Sequence, residues 1–235
     1  MEPMIPDSGK ESSQMIRAFI FDLDGVLTDT AEYHYQAWKQ IADEHGLFFD
    51  RSANEQLKGV SRRRSLEIIL EANQAGQRFN EQEKEQIIGI KNKIYQNLLK
   101  NITVRDILPG IEGFLREART RGLLLAVASA SRNADTVLTR LGIKPVFDYI
   151  ADAGKIARTK PDPEVFLDCC RNLGVQPQSC IGFEDSQAGI EAIRSAQMRS
   201  VGIHVNVTSL APDLPYQGTE ELDVQQVLAY FEESV

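Results

Sequence analysis

The sequence predicts an α/β fold, a doubly wound parallel sheet with an inserted α-helical cap domain. Two observations lead there. Short apolar runs (16–21, 123–128 and 180–183) each end in polar, chemistry-bearing residues and alternate with helical patterns. Such runs, bounded by turn residues, read as buried strands of a parallel sheet. Residues 31–101, in contrast, hold helical periodicity and no convincing strand. The expected division is a disordered tail at 1–14, a catalytic core from 15–29 and 103–235, and a helical cap at 30–102.

The first strand leads into Asp22-Leu23-Asp24-Gly25-Val26-Leu27-Thr28-Asp29-Thr30. In an open α/β sheet, ligands bind beyond the strand C-termini. Two carboxylates spaced i, i+2 there can divide the work. One carboxylate and a backbone carbonyl can hold a hard cation, leaving the other carboxylate for proton transfer. A solvated turn or a calcium loop is the plainer reading of Asp-x-Asp alone.

The cap comes next. Ala31 to His45 has apolar residues at helical steps, with Thr30 or Asp29 as its cap and Gly46 as its stop. It carries His34 and Trp38 on nearly one face, the second equally readable as core. Lys58 and Arg62 flank Gly59 before a helix that Ser61 caps and that ends at Glu71, a fair anion-binding arrangement. A further helix, Asn80 to Leu99, has Lys91 and Asn92 at or beside its apolar stripe.

The core resumes at Val104. Pro109-Gly110 turns into a helix, Ile111 to Arg121, before the apolar strand ending in Ser129-Ala130-Ser131-Arg132-Asn133. Hydroxyls and free N–H groups at a strand end before a helix (Ala134 to Leu141) can cradle phosphate. Val146 to Ala151 leads to another strand end. Thr159-Lys160-Pro161-Asp162-Pro163 fixes a turn, holds Lys160 on a stiff loop and opens a helix, Glu164 to Leu173. The strand Cys180 to Phe183 runs into Glu184-Asp185-Ser186-Gln187-Ala188-Gly189, two carboxylates before a helix reaching Ala196. Arg199 to Ile203 is read as the closing strand and Leu222 to Phe231 as a terminal helix.

Composition narrows the function. The 235 residues are 42% hydrophobic and 26% charged with a net charge of −8, an ordinary globular balance without a basic footprint for nucleic acid. Cys169, Cys170 and Cys180 fit neither a disulfide framework nor a zinc pattern and read as buried free thiols of a cytoplasmic protein. No run of 18 apolar residues exists, so no membrane partner is expected. A monomer acting on a small molecule is the expectation.

Right-handed crossovers gather successive strand ends on one sheet edge. Asp22 and Asp24, Ser129, Lys160, and Glu184 with Asp185 would then surround one small volume. A cation site, a nucleophile, a hydroxyl and a lysine together suit phosphoryl transfer, where catalysis is mostly positioning and charge neutralisation. Asp22 is the expected nucleophile and Asp24 the acid and base. Mg2+ is the expected cofactor, on the Asp22 side chain, the Asp24 carbonyl and Asp185, with Glu184 supporting it through the water shell. Lys160 and Ser129 would take the remaining phosphoryl oxygens.

The loop Asp22 to Thr30, with Ser129, Lys160-Pro161 and Gly182 to Ile190, resembles the haloacid dehalogenase superfamily and its Rossmann-like core. The cap motifs Asp29 to His34, Trp38, Asn54 to Arg62 and Lys91-Asn92 resemble its β-phosphoglucomutase family. That family interconverts β-D-glucose 1-phosphate and glucose 6-phosphate through an aspartyl phosphate and β-glucose 1,6-bisphosphate. The resemblance implies that Arg62 holds the phosphate not being transferred, with Lys91 and Asn133 near it or the sugar. It further implies that Ser129, Ala130 and Ser131 line the phosphate loop, and that His34, Trp38 and Gln56 to Gly59, including Lys58, line the sugar side. Departures are Arg63-Arg64, where acidic character is usual, Arg132 in place of a lysine, and His204 in place of a glycine. A sugar-phosphate phosphatase, or a mutase for another aldose or disaccharide phosphate, is the alternative.

Overall fold

The computed structural model describes residues 15–57, 60–203 and 211–233. The expected N-terminal tail, Lys58, Gly59 and His204 lie outside them. Six parallel strands form one sheet: β1 (Ala18–Phe21), β2 (Leu124–Val127), β3 (Tyr149–Ile150), β4 (Cys180–Glu184), β5 (Arg199–Ile203) and β6 (Leu214–Tyr216). Their order is β3-β2-β1-β4-β5-β6, so the chain reverses its direction of travel across the sheet beside β1. The crevice at such a reversal is where doubly wound folds bind ligands.

Strand alternation sorts the core into two layers. Phe19 and Phe21 of β1 face one side with Phe183 and Phe114, and Ala18 and Ile20 face the other with Phe166 and Cys169. The first side is covered by α5 (Ile111–Thr120), α6 (Ala134–Arg140) and α9 (Val224–Glu233), the second by α7 (Glu164–Leu173) and α8 (Gln187–Ser195). Phe19 stacks on Phe114 with centroids 5.7 Å apart, and Phe21 on Phe183 at 4.6 Å. Offset aromatic pairs of this kind add about 0.5–1.5 kcal/mol each beyond their buried area. They hold rigid the strand that delivers Asp22.

The expected closing strand, β5, is not the edge. β6 pairs beyond it, with Pro215 opposite Gly202. Three residues centred on a proline carry no alternating pattern, and an edge strand tolerates the missing N–H.

Between β1 and β2 lie α1 (Ala31–Glu44), α2 (Arg51–Glu55), α3 (Arg62–Ala72) and α4 (Glu81–Leu98), and no strand among the described residues. Trp38, Ile41, Leu66, Ile69, Leu70 and Ile87 make a third apolar cluster, separate from the sheet layers. Ser61 caps α3 through Arg64 N–H, and Asn80 and Glu83 form a reciprocal capping box on α4. The short α2, which periodicity did not reveal, is capped by Asp50. No described helix is long and apolar enough to cross a membrane. The three cysteines are buried free thiols.

Candidate active site

Register brings the strand ends together. Phe21 pairs with Val127 on one side and with Phe183 on the other. The residues that follow, Asp22, Ala128-Ser129 and Glu184-Asp185, therefore emerge at one level of one edge. Asp22, Ser129 and Asp185 border a cavity of about 680 Å³ between that edge and the helices α1 to α3. Asp22, Asp24, Gly25, Ser129, Ala130, Ser131 and Asp185 line it from the sheet, and His34, Trp38 and Arg62 from the helices.

Lys160 is 2% exposed and lies behind Asp22 rather than on the cavity wall. Its Nζ is 2.5 Å from Asp22 Oδ1 and 2.5 Å from Glu184 Oε1. Two carboxylates keep the ammonium charged despite its burial, which acts the other way. Burial pushes the Asp22 carboxyl up to about 7, Lys160 pulls it down, and Glu184 and Asp24 repel it. The pocket thus holds more negative charge than one lysine offsets.

Glu184, expected to support a cation through its water shell, has protein partners on both carboxylate oxygens. Its Oε1 meets Lys160, while Oε2 accepts from Asp185 N–H (2.9 Å), Ser186 N–H (2.8 Å) and Ser186 Oγ (2.8 Å). Its carboxyl group sits at the start of α8, where free N–H groups meet it. Gly189 makes room for it: a Cβ there would fall 1.9 Å from Glu184 Cδ. Asp185 instead leans over the first loop. A Cβ on Gly25, which has φ +81°, would fall 2.2 Å from Asp185 Oδ2. Asp22, Asp24 and Asp185 thus offer an all-oxygen set, fit for a hard divalent cation. Among the described residues no three carboxylate, histidine or cysteine side chains converge on one point.

Asp24 accepts a hydrogen bond from the Thr30 hydroxyl. Burial raises its pKa, against the pull of Thr30. A carboxyl that holds its proton more firmly suits a general acid. Ser129 is buried, and its Oγ accepts from Ser131 N–H at 3.1 Å.

On the helical side the structure separates the predicted residues. His34 and Trp38 border the cavity, but Lys91 lies behind them, fully buried, with Nζ 2.9 Å from His34 Nδ1. Lys91 also stands 4.6 Å from the Tyr95 ring centroid and 5.2 Å from that of Trp38. Burial, then the Arg62 charge, lower its pKa to about 7. Burial likewise holds His34 well below its usual value, so the imidazole is neutral. Asn133 is buried off the cavity wall, tied to Asn92 Oδ1 (3.0 Å) and Gln96 Nε2 (3.1 Å) of α4. Gln56, expected on the sugar side, is the exposed C-cap of α2; Asn54, Glu55 and Leu57 take the wall instead. Gln56 falls just past the end of α2, a helix the sequence pattern does not reveal.

The triple arginine resolves into two roles. Arg63 pairs with Glu67, Glu81 and Glu85, and Arg64 with Glu67 and Glu71. Arg62 has no carboxylate partner among the described residues and borders the cavity, its pKa lowered by burial and by Arg132. Arg132, from the loop after β2, was not among the expected site residues. The sequence marks it only as a departure from the usual lysine, and in the fold its charge acts on Arg62.

Residues 16–197 match the haloacid dehalogenase-like hydrolase family. The chain belongs to that family. Among its curated relatives, a β-phosphoglucomutase of Bacillus subtilis (strain 168) is 43% identical over 210 residues, 89% of this chain and 93% of the relative. A crystal structure of β-phosphoglucomutase from Clostridium difficile superposes with a TM-score of 0.91 at 46% identity, covering 94% of this chain and 99% of that one. The fructose-1-phosphate phosphatase YqaB of Escherichia coli (strain K12) is 30% identical over 79% of this chain and 95% of its own. The resemblance drawn from the sequence motifs is thereby borne out at the level of the haloacid dehalogenase-like fold, with its parallel sheet.

Proposed function

We propose that this chain is a Mg2+-dependent isomerase that interconverts β-D-glucose 1-phosphate and glucose 6-phosphate. Asp22 attacks phosphorus in line through the oxygen that Lys160 leaves free. The Asp22–phosphorus bond forms as the bond to the leaving sugar oxygen breaks, and Asp24 gives that oxygen its proton. In the other half of the cycle the 6-hydroxyl of β-D-glucose 1-phosphate attacks the aspartyl phosphate, Asp24 takes its proton, and β-glucose 1,6-bisphosphate forms; Asp22 then takes the 1-phosphate of that bisphosphate in the step just described, and glucose 6-phosphate leaves. Lys160 and Ser129 neutralise and orient the phosphoryl oxygens. Mg2+, held by Asp22, the Asp24 carbonyl and Asp185, would supply charge neutralisation between the two anions.

The observation that carries a mutase, rather than hydrolysis of a monophosphate, is Arg62, a guanidinium that borders the cavity without a carboxylate partner among the described residues. The charge of Arg132, on the loop after β2, opposes it further, so an anion beside Arg62 would be favoured. A bisphosphate intermediate has such a second anion, and Arg binds phosphate in a bidentate fork. His34 and Trp38 then border the sugar. We read residues 30–102 as a cap that closes over the bisphosphate and keeps water from the aspartyl phosphate.

Phosphorus NMR with β-glucose 1-phosphate, Mg2+ and a trace of β-glucose 1,6-bisphosphate tests this. Glucose 6-phosphate is expected to grow without inorganic phosphate. Stoichiometric inorganic phosphate would identify a phosphatase instead, and an unchanged spectrum would exclude glucose as the sugar.

A further inference from the structure

Thr30 occupies the N-cap of α1, yet its hydroxyl makes no cap bond. The first N–H of the helix, at Ala31, donates instead to Asp29 Oδ1 at 2.8 Å. The Thr30 hydroxyl is thereby released for another task. It donates to Asp24 Oδ1, and its oxygen lies 2.9 Å from Tyr95 Oη. Thr30 is 0% and Tyr95 1% exposed, so water does not compete for either group.

Hydrogen counting gives this chain a direction. Each hydroxyl has one proton to donate, and an ionised carboxylate can only accept. While Asp24 is ionised, as it is when it takes a proton from water, the Thr30 proton therefore points at Asp24 and Tyr95 donates to Thr30. The Tyr95 ring is itself fixed, stacked obliquely 4.1 Å from His34 and 4.6 Å beneath Lys91 Nζ. The order is Tyr95 to Thr30 to Asp24, from the inside of α4 to the acid and base of the first loop. We infer that Tyr95 is a positioning residue for the reaction. It polarises the Thr30 hydroxyl and, through it, fixes the rotation of the Asp24 carboxyl group. Because Tyr95 belongs to α4, Asp24 is oriented only while the helical segment sits against the loop as it does here. The inference rests on the proposed acid–base role of Asp24, but not on which sugar is the substrate.

The test compares two half-reactions on the full-length protein with Mg2+. Acetyl phosphate phosphorylates Asp22 with a leaving group that needs no acid. Hydrolysis of the resulting aspartyl phosphate needs Asp24 to take a proton from water. Tyr95→Phe keeps the packed ring. It is expected to slow hydrolysis of the aspartyl phosphate about 5- to 10-fold, the worth of one hydrogen bond. Its effect on labelling by acetyl phosphate is expected to stay within about twofold. Thr30→Val is expected to give a larger loss of hydrolysis, and Thr30→Ser to restore most of it. Tyr95→Phe combined with Thr30→Val is expected to be no slower than Thr30→Val alone, because the two act through one chain. Equal losses in both half-reactions, multiplicative losses in the double variant, or an unchanged hydrolysis rate would each overturn the role of Tyr95. Wild-type protein that accepts acetyl phosphate but leaves β-glucose 1-phosphate unchanged would overturn the sugar assignment alone, and the hydrolysis comparison would still decide the role of Tyr95.

Discussion

Lys160 reaches Asp22 from a fixed position because Glu184 holds its other side, Oε1 to Nζ at 2.5 Å. Glu184 is in turn bound by two backbone N–H groups and the Ser186 hydroxyl, so β4 and α8 set where the lysine charge sits. Removing one member of a buried ion pair leaves an uncompensated charge, at about 3–5 kcal/mol. Glu184→Ala is therefore expected to lower unfolding stability in urea by about that amount, and to lower labelling of Asp22 by acetyl phosphate as well. A stable, fully active Glu184→Ala protein would show that Asp22 alone positions Lys160.

Asp24 is expected to matter for proton transfer and little for the cation, which would use its backbone carbonyl. Asp24→Asn keeps that carbonyl and the shape of the side chain. Turnover should fall about 100- to 10,000-fold, the usual worth of a positioned acid and base. Mg2+ affinity, measured by calorimetry, should change by only a few-fold. Full turnover in this variant would remove Asp24 from the acid–base role.

Arg62 and Arg132 should be needed for the distal phosphate and not for chemistry at Asp22. Arg62→Ala and Arg132→Ala are each expected to lower sugar-phosphate turnover at least about tenfold, since charged hydrogen bonds contribute about 1.5–3 kcal/mol. Labelling by acetyl phosphate should change little in either. Equal losses in the two assays would mean that neither arginine holds a second phosphate.

Lys91 should leave a signature in the pH dependence of stability. Its folded pKa is about 7 against an ordinary 10.5, so between those values the unfolded chain binds more protons than the folded one. Stability contributed at this site therefore rises as pH increases from about 7 to 10.5 and is flat below that window. Lys91→Met removes the buried charge. Compared with it, wild-type protein should gain stability between pH 7 and pH 9 in urea titrations. Parallel curves for the two proteins would mean that Lys91 is charged in the fold throughout.

Much of this was legible in the sequence because it depends on local pattern. Apolar runs broken by Asp22, Ser129 and Glu184 mark strand ends, and parallel order then sends those ends to one edge. Periodicity revealed α1, α3, α4 and α7, whose apolar faces repeat over several turns. It missed α2 and β6, each too short to repeat a pattern, and β6 carries a proline at its centre.

The sequence by itself determined the doubly wound class, the helical insertion, and the identity of the carboxylates, hydroxyl and lysine at the strand ends. Only the tertiary structure decided which of them share a bond. Glu184 turns to Lys160 and the start of α8 because Gly189 leaves space there, a packing fact with no sequence periodicity. Of three adjacent arginines, Arg62 alone faces the cavity, since glutamates on α3 and α4 draw the other two away. Thr30 looks like an ordinary helix cap, but Tyr95, 65 residues further on, and Asp24 claim its hydroxyl. Strand and helix patterns are set by neighbours along the chain, whereas a side chain's hydrogen-bond partner is set by whatever the fold brings within about 3 Å.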